Sequence, residues 1–192
     1  MLNLLPSIIA LGLAALFAWV LALHRRSPPE STAERRAAAR ALAVAVGLQS
    51  IHFSEEVATG FHERFPALFG LPAMPLSLFV AFNLAWLGIW IASVPGLRSA
   101  RLPAFFAAWF LAIAGALNGV AHPILAFAAG GYFPGLVSSP FIGGAGLWLW
   151  LQLLGATSPT GGPDGRRSNW GFRRKPRHPG TSRSGAAGET SD

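Results

Sequence analysis

The 192-residue sequence contains no cysteine. That excludes disulfides, thiolate metal ligands and cysteine nucleophiles together. Charge is scarce as well: Asp, Glu, Lys and Arg make up 12% of the residues, about half the share of an ordinary soluble domain. No P-loop, GxGxxG or GxSxG occurs, so the common phosphate cradles and the strand-to-helix nucleophile turn are missing. No segment repeats another, which weighs against a transporter built from paired halves. What fills the chain instead is apolar: hydrophobic residues account for 52% of it.

That apolar content is gathered into five stretches, each long enough to span about 30 Å of hydrocarbon at about 1.5 Å per helical residue. They run from Leu2 to Leu23, from Ala37 towards Phe61, from Pro75 to Val94, from Leu102 to Phe127 and from about Val137 to Leu154. The first has no basic leader and no small-x-small cleavage site before Arg25, so it reads as a retained helix rather than a cleaved signal. The expected fold is all-α: an integral membrane five-helix bundle with a disordered C-terminal tail. Three regions follow: 1–36, the first transmembrane helix and a basic loop; 37–155, a four-helix membrane domain; 156–192, a disordered basic tail rich in Gly, Pro, Ser, Thr and Arg.

The net charge of +7 would suit a nucleic-acid partner, but its placement does not. Seven of the fifteen Lys and Arg residues lie in the tail and five more fall between residues 25 and 40. They flank apolar runs instead of covering a folded face interleaved with aromatics, so no nucleic acid is expected. Along the chain the connections and tail carry 5, 1, 2, 0 and 7 basic residues in turn. The positive-inside rule then puts the N-terminus outside and the tail in the cytoplasm, with the cell membrane as the expected location.

Ionisable residues inside a span need a reason. His52, Glu55 and Glu56 fall within one arc of the second helix, and a histidine with carboxylates three and four residues on has metal-ligand or acid/base spacing. A plainer reading makes residues 54–64 a solvated outer loop. On the fourth helix Asn118 and His122 share a face at i, i+4. Counting from Arg40, His52 lies roughly 18 Å up its helix; counting from Arg101, His122 lies roughly 31 Å up its own. With ordinary tilts both sets meet in the outer half of the membrane, beneath a turn that carries Tyr132, the only tyrosine. Asn83 on the third helix is either packing glue or part of the same cavity.

The segments His52-Phe-Ser-Glu55-Glu56, Asn118-Gly-Val-Ala-His122 and Tyr132-Phe-Pro134-Gly135 resemble, in order, the three motifs of the HXXEE domain family over roughly residues 40–154. That resemblance implies a multi-helix membrane protein whose polar motif residues point to an enzyme without an established reaction. The residues themselves leave two chemistries open. His52, Glu55, Glu56 and His122 hold a divalent metal (zinc, iron or manganese), or they act as acid/base groups on a lipid-like or small apolar substrate, with Asn118 and Tyr132 orienting it. A proton-coupled transporter and a membrane binding or assembly factor use the same cluster differently.

Overall fold

The computed structural model describes residues 5–160, all of them belonging to an α-helical fold. Helix α1 (Leu5–His24) leads through a two-residue strand β1 (Arg25–Arg26) into α2 (Thr32–Ala58). A short α3 (Phe61–Ala67) follows, then α4 (Leu76–Arg98), α5 (Leu102–Ala128) and α6 (Ser139–Ala156), and the described chain closes on β2 (Ser158–Pro159). The tail expected at 156–192 lies outside the described residues from 161 onward. Its first residues are held: Arg25 pairs with Pro159 and Arg26 with Ser158, and Thr160 N–H donates to His24 O at 2.8 Å.

Six helices stand among the described residues where the sequence predicts five. The addition is α3. Gly60, in the left-handed region at φ 79°, ends the run of α2, and Glu63 and Arg64 N–H donate to its carbonyl to start a new turn. Phe61 and Phe65 then stack on one face, 5.0 Å apart. The polar trio His62, Glu63 and Arg64 reads in sequence as a solvated cap, yet the His62 side chain is only 14% exposed.

Among the described residues two helices, α4 and α5, are long and apolar enough to cross a membrane. The others differ from the expected spans. Helix α2 begins at Thr32 and carries Glu34, Arg35, Arg36 and Arg40 in its first turns, while α6 has 18 residues. Helix α4 has only 17% of its most apolar window buried, unlike the core helix of a water-soluble domain.

Alanine fills the interior. Ala14, Ala18 and Ala22 form one stripe of α1, facing a core that contains Ala104, Ala108 and Ala112 of α5. Large apolar side chains point outward, among them Ile51, Ile91, Val120 and Phe141, each at least 60% exposed. Small interior residues let backbones approach closely, so attraction comes from many short dispersion contacts. Helices α5 and α6 approach closely: a Cβ at Gly146 would lie 2.6 Å from Ala116 N, and one at Gly119 would lie 2.9 Å from Gly143 Cα.

Hydrogen bonds sort the helix ends. Arg25 donates from Nε to Thr157 Oγ1 and from Nη2 to the Thr157 and Leu154 carbonyls, joining the C-terminal ends of α1 and α6. Arg35 donates from Nε to Arg98 O, joining the start of α2 to the end of α4. One end of the bundle therefore gathers Arg25, Arg26, Arg35, Arg36, Arg40, Arg98 and Arg101. The polar motif residues lie at the other.

Candidate metal centre

His52 and Glu56 are one helical turn apart on α2, so both side chains face the same way. His52 Nε2 lies 3.5 Å from Glu56 Oε1. Helix α5 brings in His122, whose Nε2 lies 3.6 Å from the same oxygen. The two imidazoles meet edge to face, centroids 4.7 Å apart. All three ligand atoms fall within 4.8 Å of one another, and all three residues are buried. This cluster can hold a metal ion.

The remaining ring nitrogens fix the tautomers, assigned here from the hydrogen-bond network. His122 Nδ1 is 2.7 Å from the Pro134 carbonyl, which can only accept, so Nδ1 carries the proton. His52 Nδ1 is 2.8 Å from Ser138 Oγ. The Ser138 hydroxyl gives its own hydrogen to Glu55 Oε2 in a very short bond, so towards His52 it accepts. Both histidines thus present a bare Nε2 to Glu56, and His52 Nε2 has no hydrogen-bond partner. Holding Nδ1–H on a carbonyl or a carboxylate-linked group is how proteins orient metal-ligating histidines.

The segment between α5 and α6 closes the pocket. Gly135, at φ 86°, passes so near the rings that a Cβ there would sit 2.5 Å from His122 Cε1 and 2.9 Å from His52 Cε1. Only glycine fits that approach, and its conformation is one that other residues adopt at a cost. Phe61 of α3 lies 5.8 Å from the His122 ring and packs edge-on against Phe133. Side-chain exposure is 9% for Glu56, 2% for His122 and 0% for His52, so all three groups lie out of solvent.

Glu55, expected among the ligands, faces elsewhere. Oε1 accepts from Tyr132 Oη at 2.7 Å and Val137 N–H at 3.0 Å, and Oε2 accepts from Ser138 N–H at 2.8 Å as well as from its hydroxyl. It caps the start of α6 and anchors the chain His52–Ser138–Glu55–Tyr132. Tyr132 therefore lies in the outer part of this network, 44% exposed, with Arg64 Nη1 donating to its carbonyl at 3.4 Å. Burial first, then the adjacent Glu55 carboxylate, raise its hydroxyl above the ordinary phenol range, so it stays a donor at neutral pH. Asn118 is half-buried and joins none of the bonds of the cluster. Asn83 donates to Phe79 O of its own helix, 3.0 Å away. Ser138, the Pro134 carbonyl and Phe61 are positioning groups that sequence reasoning missed.

Ligands about 2.0–2.1 Å from a tetrahedral ion stand about 3.4 Å apart, and the two His–Glu separations of 3.5 and 3.6 Å are close to that edge. Two imidazole nitrogens and one carboxylate oxygen also leave a coordination position open, as catalytic sites do. A scan against protein-family models and searches of curated proteins and of solved structures return no match.

Proposed function

We propose that this protein is a membrane-embedded, metal-dependent enzyme whose ion is held by His52, Glu56 and His122 and whose substrate is lipid-like or small and apolar. One observation carries the reading: two bare imidazole nitrogens converge on a single buried carboxylate oxygen. A carboxylate is costly to bury without a partner. A proton on Glu56 satisfies one of the two nitrogens and leaves the other unpaired, whereas a divalent cation satisfies all three groups. The donor set suits zinc, iron or manganese. When bound, the ion supplies Lewis-acid polarisation and an activated water. The residues of the chain do the rest: Ser138 and the Pro134 carbonyl hold the rings, and Phe61 and Phe133 pack beside His122.

The membrane reading takes α1, α2, α4, α5 and α6 as five spans, the N-terminus outside and the basic end cytoplasmic. It is supported by the alanine-filled interior, the outward branched side chains and the gathering of arginines at one end. The cluster then lies in the outer half of the bilayer, since α2 and α5 both run from the arginine-rich end towards it. Elemental analysis of the purified protein tests the metal. About one equivalent is expected in the wild type and none in His52→Ala or His122→Ala; metal absent from all three would sink the reading.

A second reading has its own observation. The chain His52–Ser138–Glu55–Tyr132 connects the buried cluster to an exposed hydroxyl, and such a chain moves protons without a metal, in acid/base catalysis or in proton-coupled transport. pH-driven flux in proteoliposomes of a metal-free protein would favour it.

A further inference from the structure

The arginines at the other end of the bundle are arranged, not scattered. Arg36 and Arg40 are one turn apart near the start of α2, and Arg98 is the last residue of α4. Together they line one recess of about 180 Å³. Three like charges brought together repel, so the arrangement needs both a frame and a counter-charge.

The frame is Arg35, only 7% exposed. Besides Arg98 O, its guanidinium donates to Ser27 Oγ at 3.2 Å, Pro28 O at 2.8 Å and Pro29 O at 3.3 Å. The bond to Arg98 O ties the end of α4 beside the first turns of α2, and the other three tie the loop before α2 to the same guanidinium. The recess is thus held open by a buried group that takes no part in it.

Its surroundings identify the counter-charge. On α2, Arg36 and Arg40 continue at helical spacing into Val44, 47% exposed, and towards Ile51, 60% exposed. On α4, Arg98 stands at the end of the seven-residue stripe Leu84, Ile91, Arg98, whose apolar members are 55% and 62% exposed. Two outward apolar stripes therefore run into one cationic recess, the arrangement an anionic amphiphile requires. Pockets for whole drug-sized ligands start at about 300 Å³, so the recess takes a headgroup while acyl chains lie along the stripes. Guanidinium groups bind phosphate oxygens in pairs and are weakly hydrated, which suits this task better than lysine.

We infer that Arg36, Arg40 and Arg98 bind the phosphate of an anionic membrane lipid between α2 and α4, at the end of the molecule remote from the metal centre. The inference rests on the membrane reading above and is independent of the metal. The test is native mass spectrometry of the full chain released from nanodiscs containing phosphatidylcholine with added phosphatidylglycerol. Phosphatidylglycerol should be retained preferentially, and Arg36→Ala, Arg40→Ala and Arg98→Ala should each weaken it about fivefold. Arg36→Lys, which keeps the charge and loses the paired donors, should recover only part of the retention, and Arg166→Ala, which removes one charge from the tail, should leave it unchanged. Helical circular dichroism of each variant checks that the fold persists. Equal loss in the tail variant, no preference for the anionic lipid, or displacement by inorganic phosphate alone would overturn the site. Release of the wild type from membranes by alkaline carbonate would instead overturn the membrane reading beneath it.

Discussion

At the scale of single residues, the centre depends on which way two adjacent glutamates face. Neighbouring helical positions differ by about 100°, so Glu55 and Glu56 look alike in sequence and have separate tasks in the fold. Glu56 meets the histidines, while Glu55 caps α6 and holds Ser138. His52 and His122 were legible because an imidazole in an apolar span demands a reason. Ser138 was not, since a serine before a helix reads as an ordinary cap, and the Pro134 carbonyl has no side-chain signature at all. Replacing Ser138 with alanine removes the acceptor for His52 Nδ1–H. Loss of such an outer partner costs about 10–100-fold in metal affinity, to be measured by competition with a chelator, and Ser138→Thr should recover part of it. An unchanged affinity in Ser138→Ala would remove Ser138 from the account.

At the scale of elements, long apolar stretches announced α4 and α5, and their observed ends fall within a few residues of the sequence expectation. The short α3 escaped because seven residues with three polar side chains show no span-like pattern, and its packing on His122 and Phe133 is tertiary. The two-residue pairing of β1 with β2 was equally hidden, being made by backbone groups at opposite ends of the described chain, Arg25 with Pro159 and Arg26 with Ser158. The glycine pairing of α5 and α6 sets where His122 stands relative to Ser138. Gly146→Ala places a methyl 2.6 Å from backbone at Ala116 and 2.8 Å from Ala112 O. Overpacking of that kind costs about 1–3 kcal/mol, read as a lower unfolding temperature in detergent. Gly144→Ala meets nothing within 4 Å and should raise stability by about 0.5–1 kcal/mol through helix propensity; an equal gain in Gly146→Ala would mean that the close approach does not set the effect.

At the scale of the whole molecule, two ends with different chemistry emerge from one helical body. The basic end is tied by Arg25 and Arg35, and the opposite end holds the His/Glu cluster beneath α3 and the Tyr132–Ser138 segment. His52 and His122 stand equally far along α2 and α5 from Thr32 and Leu102, and both helices run in the same direction from the arginine-rich end; a count from Arg40 sets His52 too shallow because α2 begins earlier. Depth alone does not set rotation, which is why Asn118 was expected in the cluster and stands apart from it. The central claim is that His52, Glu56 and His122 ligate one ion. X-ray absorption at the edge of the metal that co-purifies tests it most directly. The account predicts imidazole scattering from two histidines with nitrogens at about 2.0–2.1 Å, falling to one histidine in His122→Ala supplied with excess metal and unchanged in Asn118→Ala. A metal whose spectrum shows no imidazole, or the same two histidines after His122 is removed, would contradict it.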